Sequence, residues 1–137
     1  MKAKDLMIGD LINGFGVVRR VTSIYGLERP EDDGLLTTMV PGCEFPENNL
    51  SFRPCYARPI PLTAEILEKN GFKKQDDGCY IITLEEENLI GVQPFENVNW
   101  IFGANVFPNI IEHLNILYVH ELQHALRLCG IEKEIIL

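Results

Sequence analysis

The chain has 137 residues and a formal net charge of −8. Its sequence pI is near 4.8, which argues against a general binder of nucleic acid or of anionic membranes. With 46% hydrophobic residues, it carries enough apolar material to fold as one small domain, or as two subdomains, without disulfides or metal staples.

Localisation is predicted from apolar runs and cysteines. The N-terminus has no apolar run of signal-peptide length, and no segment approaches the roughly 20 apolar residues of a membrane span. The four cysteines form no C-x-x-C pair; they are Cys43, Cys55, Cys79 and Cys129. We therefore expect a cytoplasmic protein with reduced thiols and no membrane partner.

Residues 1–60 are predicted to be β-rich. Apolar residues at 16–24 and 35–40 predict two strands, with an acidic turn over 30–34 between them. Residues 41–54 contain three prolines and two asparagines, which predicts a long irregular loop. Residues 56–60 predict an edge strand, because their proline nitrogens cannot donate to a neighbour. This half is expected to be a small β-barrel-like subdomain.

Residues 61–137 are predicted to be an α+β subdomain that shares one core with the first. Thr63 is a good N-cap for a short helix through Asn70, and Gly71 suits its end. Three strands are predicted at 79–84, 89–92 and 98–102. The fold class is therefore α+β: a small N-terminal β-barrel-like half, then an antiparallel sheet with one short and one long C-terminal helix.

The long helix is predicted to begin at Asn109 and to end at Gly130. Asn109 can cap it, Glu112 three positions later completes a capping-box pattern, and glycine is a typical stop. At about 100° per residue, Glu121 falls inside the apolar arc of this helix. A carboxylate at such a position needs a partner, and we predict a structural one.

One segment of this helix spells out a chemistry, His120-Glu121-Leu122-Gln123-His124. The spacing H-E-x-x-H puts two imidazoles on one helix face, where both can hold a single zinc ion. The glutamate between them is then placed to act as general base on a metal-bound water. This pattern predicts, as one alternative, a zinc-dependent hydrolase with His120 and His124 as ligands and Glu121 as base.

The sequence offers no good third zinc ligand. In the metzincin pattern, Arg127 takes the place of the glycine and Gly130 the place of the last histidine. Few residues follow Gly130, so a second helix cannot supply a glutamate ligand downstream. His113 lies about 16 Å along the helix from His124 and cannot share the ion. The context therefore favours a structural motif, with no catalytic residue, bound metal or other cofactor.

Two blocks carry a resemblance to a known family. They are R-P-I-P-L-T-A-E-I-L-E-K-N-G-F at residues 58–72 and Y-V-H-E-L-Q at residues 118–123. Together with the opening L-M-I-G-D at residues 6–10, they resemble small uncharacterised proteins of gut bacteria and their phages or mobile elements. The resemblance covers most of the chain and implies an intracellular protein of unassigned biochemistry. In that family asparagine often stands at the position of His124, which implies a packing role for this helix.

Three functions are compatible with these observations. The sequence favours a non-catalytic binding or interaction module, with a protein partner or a second copy of the chain. Its expected contact surface consists of aromatic side chains on the barrel loops, Phe45, Phe52 and Tyr56. The zinc hydrolase is the first alternative. The second is a nucleic-acid-binding accessory protein, against which the net charge weighs. It would use arginines on the barrel face, namely Arg19, Arg20, Arg29, Arg53 and Arg58.

Overall fold

A computed structural model describes most of the chain. The described ranges are residues 1–2, 5–25, 34–43, 48–84, 89–96, 98–104 and 114–137. The chain divides into two compact units, Met1–Ile60 and Pro61–Leu137, and each unit is described by itself.

The N-terminal unit is a five-stranded antiparallel sheet that curls into a half-barrel. Each of the first three strands pairs with the next along the chain, and the fifth strand returns to pair with the free edge of the first. A 3-10 helix, Pro54–Tyr56, makes this return. The strands are β1 (Leu11–Gly14), β2 (Val17–Tyr25), β3 (Leu35–Met39), β4 (Leu50–Phe52) and β5 (Ala57–Arg58).

One face of this sheet carries the core. Residues directly opposite each other in antiparallel strands project to the same face, so the pair Leu36–Phe52 fixes which face is buried. A bulge at Thr22 shifts the register of β2 by one residue and keeps Ile24 on that face. The buried cluster consists of Leu6, Ile12, Val21, Leu36, Phe52 and Ala57.

The structure confirms the strands predicted at 16–24 and 35–40 and the edge strand after residue 56. The irregular loop predicted over 41–54 is wrong in part, because Leu50–Phe52 forms β4. Thr38 on β3 donates its Oγ1 hydrogen to the carbonyl oxygen of Leu50 at 3.0 Å. Pairing with β3 thus overrides the loop-like composition of this segment. Most of the predicted acidic turn, residues 30–33, lies outside the described residues.

The C-terminal unit is built on a second antiparallel sheet in which successive strands are neighbours. The three strands predicted in this half are confirmed, whereas the first and last strands of the sheet, Lys73–Lys74 and Leu114–Ile116, were not predicted. In the pair Gly91–Phe102, a Cβ atom on the glycine would lie 2.0 Å from Cζ of the phenylalanine, so the ring covers the glycine directly. The strands are β6 (Lys73–Lys74), β7 (Tyr80–Thr83), β8 (Leu89–Phe95), β9 (Val98–Ala104) and β10 (Leu114–Ile116).

The short helix α1 (Ala64–Lys69) has the predicted ends. Thr63 accepts a hydrogen bond from the backbone N–H of Ile66 on its Oγ1, at 3.3 Å. At the other end, the N–H of Phe72 donates to the carbonyl of Leu67 at 3.0 Å, which is the long bond of a Schellman motif. Both ends are local signals, and the prediction of this helix is confirmed.

The second helix, α2 (Val119–Leu128), corrects a prediction. It has ten residues and begins after Tyr118, not at Asn109, because residues 114–116 form β10 and pair with β9. Helix-like spacing of apolar residues before Tyr118 therefore gave way to strand pairing. Asn109 and Glu112 lie outside the described residues. The stop at Gly130 is confirmed, as is the α+β fold class with one short and one longer helix.

The segment after α2, residues 131–137, has no regular secondary structure but is anchored. Ile135 is buried. Asn70, also buried, donates its Nδ2 hydrogen to the carbonyl of Ile136 at 2.7 Å and accepts the N–H of the same residue on Oδ1 at 2.9 Å. This pair of bonds holds the segment to the end of α1.

Candidate functional site

The two histidines of the H-E-x-x-H segment lie on the first two turns of α2. His120 is buried and His124 is half-buried. Their ring centroids are 5.8 Å apart, with the rings at 83° to each other. The ring of His120 also stacks on that of Tyr118, with centroids 5.8 Å apart and planes at 13°. The helix brings the imidazoles together, as the spacing predicts, and one of them packs against an aromatic ring.

Glu121 caps the N-terminus of this helix. Its Oε2 accepts hydrogen bonds from the backbone N–H groups of Leu117, at 2.6 Å, and Tyr118, at 3.1 Å. Glutamate at the third helical position commonly reaches back in this way, and its charge is favourable near the positive end of the helix dipole. The structural partner predicted for Glu121 is therefore the backbone. Its Oε2 is engaged by two donors, which is poor placement for a general base.

A zinc site on His120 and His124 needs a third ligand. In the part of the chain that the structure describes, no group of three or more His, Cys, Asp or Glu side chains is placed to hold a metal ion. The zinc alternative stays a prediction.

The four free thiols differ in exposure. Cys55 is exposed, Cys43 is half-buried, and Cys79 and Cys129 are buried. Burial raises the pKa of the Cys129 thiol. Burial, followed by the nearby Asp77 carboxylate, raises the pKa of the Cys79 thiol, which donates to Oε1 of Gln93 at 2.6 Å. Because the thiolate is the nucleophile, the two buried thiols are poorly reactive near neutral pH.

Two aromatic side chains of the N-terminal unit are exposed and stacked on each other. Phe15 is 61% exposed and Tyr56 is 56% exposed. Their ring centroids are 5.6 Å apart and their planes differ by 26°. The ring of Phe15 also meets buried Phe52 edge-on, at 5.2 Å and 74°. With the exposed side chain of Val17, which lies directly opposite Gly14, these two aromatics form what we call the aromatic surface: Phe15, Val17 and Tyr56.

The sequence predicted a different set of exposed aromatics. Tyr56 is exposed as predicted. The prediction for Phe52 is wrong, because this residue lies opposite Leu36 on the core face. Phe45 lies outside the described residues. Phe15 was missed, although its place between two glycines is the signal of a tight turn that would carry an aromatic side chain outwards.

The backbone at Phe15 adopts a conformation that bulky residues rarely take. Phe15 and Gly16 form the two-residue turn between β1 and β2, with φ angles of 55° and 81°. Positive φ at both positions is typical of the type I′ hairpin turn, which favours asparagine and glycine. The N–H of Gly16 donates to Oδ1 of Asn13 at 2.9 Å and fixes the turn. For L-residues, the left-handed region costs roughly 1–2 kcal/mol.

The arginines proposed for nucleic-acid binding do not share one face of the sheet. Arg19 lies opposite Ile12 and therefore points to the core face. Arg20 and Arg58 are paired with Leu11 and Asn13, which places them on the other face. Exposed Arg53 precedes the 3-10 helix, and Arg29 lies outside the described residues.

Two further findings complete the description of the chain. Within the ranges given above, the structure contains no helix that is both long and apolar enough to cross a membrane. Comparisons with protein-family profiles, with curated proteins and with solved structures found no match to this chain.

Proposed function

We propose that this protein is a non-catalytic binding module and that the aromatic surface is its contact site. The observation that carries the proposal is Phe15: its large apolar ring is exposed, and its backbone is held at a positive φ that bulky residues rarely adopt. Backbone strain of this kind persists where the surroundings fix it, and it is common at ligand-binding sites.

The energetic argument concerns what a partner would bury. Phe and Tyr each bury about 150–250 Å² when fully covered, and apolar burial contributes about 25 cal/mol per Å². The Phe15 ring meets Phe52 edge-on and stacks on Tyr56, so both exposed rings are held in place and little rotamer freedom is lost on binding. Aromatic residues over a buried support are typical binding hot spots.

The alternatives receive less support from the same structure. Glu121 is used by the backbone of its own helix, and the arginines are divided between two faces of the sheet. The family resemblance carries no activity of its own. Together with the four free thiols, it supports a place of action inside a bacterial or phage-infected cell.

A display library of random peptides tests the proposal. The wild-type protein is expected to enrich peptides that do not bind the Phe15→Asn and Tyr56→Ser variants. Matched controls are Phe95→Asn and Tyr25→Ser, which remove exposed aromatics elsewhere and should bind the same peptides as the wild type. If no enriched peptide depends on Phe15 or Tyr56, the aromatic surface is not a binding site.

A further inference from the structure

We propose that residues 131–137, which we call the exchange segment, leave their own unit and dock at the same place on a second copy of this chain. Two copies then form a dimer in which each holds the exchange segment of the other. The inference concerns the C-terminal unit alone and does not rest on the aromatic surface. It is carried by the bonds that Lys69 and Asn70, at the end of α1, make to the backbone of the exchange segment.

Asn70 binds the exchange segment as a protein binds a separate peptide. Its Nδ2 donates to the carbonyl of Ile136 at 2.7 Å, and its Oδ1 accepts the N–H of the same residue at 2.9 Å. A neighbouring strand would offer an extended residue the same pair of groups, one donor and one acceptor. Next to this residue, Nζ of Lys69 donates to the carbonyl of Leu137. Main-chain bonds of this kind hold extended peptides in many complexes.

One apolar side chain of the exchange segment is buried beside these bonds. Ile135 is 2% exposed, whereas the next residue, Ile136, is 56% exposed. Successive side chains of an extended backbone point to opposite sides, which explains the alternation. The unit therefore combines a buried place for one side chain with bonds to the adjoining backbone. We call this site the slot: Lys69, Asn70 and the place that Ile135 fills.

The exchange segment buries little of itself. Of residues 131–137, all of which the structure describes, Ile135 alone is buried, and Glu132, Glu134 and Ile136 are exposed. None of these residues belongs to a helix or strand. Fixing each residue costs conformational entropy, so a segment with few buried contacts opens without unfolding of the domain. We therefore expect the exchange segment to leave the slot far more often than the unit unfolds.

An open slot keeps its shape and lacks a partner. Asn70 is 4% exposed, and departure of the segment removes the donor to its Oδ1. The Nδ2 group also donates to the carbonyl of Ile66 at 2.7 Å, which keeps the amide oriented when the segment has left. A buried acceptor without a donor costs free energy. The open slot is therefore preorganised for a segment with the same backbone and the same apolar side chain.

Gly130 is the hinge of the exchange. Its φ of 72° turns the chain back after α2, and the N–H of Ile131 then donates to the carbonyl of Leu126 at 2.9 Å. These are the features of a Schellman motif. Because glycine adopts positive and negative φ with similar ease, the chain can run onwards at this point instead of turning back. The exchange segment would then reach a second copy.

A second copy is the occupant whose fit the structure already displays. Its residues 131–137 have the sequence that now fills the slot, so the exchanged pair restores every contact of the closed form. Exchange of an identical element is a low-cost route to a dimer, and each copy gives and receives one segment. Association costs translational and rotational freedom, so the dimer is expected at high protein concentration.

Mixing two variants of the full chain tests the exchange. Asn70→Ala impairs the slot and keeps the segment, whereas Ile135→Asp impairs the segment and keeps the slot. Each variant alone should be monomeric, and a mixture should form a dimer through one intact slot and one intact segment. The mixture should contain at least about tenfold more dimer than either variant alone, because burial of one isoleucine is worth more than that factor. Light scattering after size-exclusion chromatography measures the masses.

The matched control places the same substitution at an exposed position. Leu128→Asp alters α2 where the side chain is 61% exposed, and it leaves both slot and segment intact. Its own segment fills its slot, so a mixture of Leu128→Asp with Asn70→Ala should stay monomeric.

A hinge variant tests the same exchange in a single chain. Gly130→Val disfavours the positive φ that turns the chain back, while no atom within 4 Å would clash with a Cβ at this position. The dissociation constant of the dimer should fall at least about fivefold relative to the wild type. The Gly130→Val, Ile135→Asp double variant should be monomeric, because its segment no longer fits the slot.

Two results would overturn the inference. The first is a mixture of Asn70→Ala and Ile135→Asp that contains no more dimer than its components, although thermal unfolding shows that both are folded. If either variant is unfolded, Gly130→Val decides, and an unchanged dissociation constant contradicts the exchange. The second is a Gly130→Val dimer that persists in the double variant, which would mean that the copies meet elsewhere. Neither result would affect the proposed role of the aromatic surface.

Discussion

Glu121 lies in the first turn of a helix and Phe15 in a two-residue hairpin turn, and both residues break an expectation about side-chain placement. The sequence predicted Glu121 in the apolar arc of its helix, and in the structure its half-buried carboxylate accepts hydrogen bonds from two backbone N–H groups. Phe15 is a large apolar residue at positive φ, and its ring is left in solvent. The first anomaly is resolved inside the fold, whereas the second is not.

The difference shows that a sequence motif typical of catalysis can serve the fold, whereas a motif with no known chemistry can present a candidate binding residue. H-E-x-x-H matches the sequence motif of a zinc site, yet its glutamate caps the N-terminus of the helix that carries the motif. Gly14-Phe15-Gly16 has no catalytic spelling, yet it presents an exposed aromatic ring at a fixed position. The residue whose placement the fold does not require is the better guide to function.

The largest expected difference between the two regions is in thiol reactivity. Cys55 adjoins Tyr56 and is exposed, whereas Cys129 ends α2 and is buried. With a disulfide reagent at mildly alkaline pH, Cys55 should react at least about 100-fold faster than Cys129, because reaction follows thiolate fraction and access. Mass spectrometry of the labelled peptides measures this ratio, and Cys55→Ser removes the fast phase. Similar rates would contradict the burial of Cys129.

The raised pKa values of the two buried thiols predict how alkaline pH affects the stability of the fold. The folded-state pKa values of Cys79 and Cys129 are raised above the ordinary value of 9.0. Well below that pH both thiols are protonated in the folded and in the unfolded protein, so their full contribution to the free energy of unfolding is present. Above it the unfolded chain ionises first, and the free energy of unfolding should fall as pH rises. The Cys79→Ala, Cys129→Ala double variant should show a shallower fall in urea titrations.

Removal of the Glu121 cap should cost about 1–2 kcal/mol of unfolding free energy. Glu121→Ala leaves two backbone N–H groups without their acceptor, which explains the loss. Glu121→Gln keeps an oxygen acceptor and should lose only about 0.3–1 kcal/mol, the charge interaction with the helix end. Urea unfolding at neutral pH measures both. An unchanged stability of Glu121→Ala would show that the cap is not formed.

A smaller effect isolates the strain at Phe15. Phe15→Asn and Phe15→Ala both remove the ring and its stacking, but asparagine tolerates positive φ better than alanine. We expect Phe15→Asn to be more stable than Phe15→Ala by about 0.5–1 kcal/mol. The same exchange at Tyr56, which is not among the residues with positive φ, is the control and should show no such preference. Equal stabilities at position 15 would remove the argument from strain.

The smallest expected effect belongs to His124. His124→Asn should change the unfolding free energy by less than about 0.5 kcal/mol if the histidine serves packing at the helix surface. Protein purified without added zinc should then carry less than about 0.1 equivalent of the metal. Elemental analysis measures the zinc content. Near-stoichiometric zinc that is lost in His124→Asn would support the zinc-hydrolase hypothesis.

Local signals were sufficient for some elements of this fold. Thr63 and Phe72 mark the two ends of α1 within the helix and its immediate neighbours. The start of α2 was mispredicted because residues 114–116 have a strand partner in β9, which no local pattern reveals. β4 was missed for the same reason, since it forms by pairing with β3, a partner that the composition of residues 41–54 does not reveal.

The candidate site was harder to predict than the fold. Whether Phe52 faces the core depends on its register against Leu36, and a shift of one residue would reverse it. The exposure of Phe15 depends on the turn type, which Gly16 suggests but does not determine. The sequence predicted a structural partner for Glu121 without saying which, and the structure shows that this partner is the backbone of a helix that begins later than predicted.

The closeness of Phe102 to Gly91 has a consequence for how this sequence can change over time. Because the Phe102 ring lies where a Cβ at position 91 would stand, substitutions at these two positions are expected to be correlated in evolution. A larger residue at 91 would be tolerated only where a smaller one stands at 102, so related sequences should exchange the pair together or keep both.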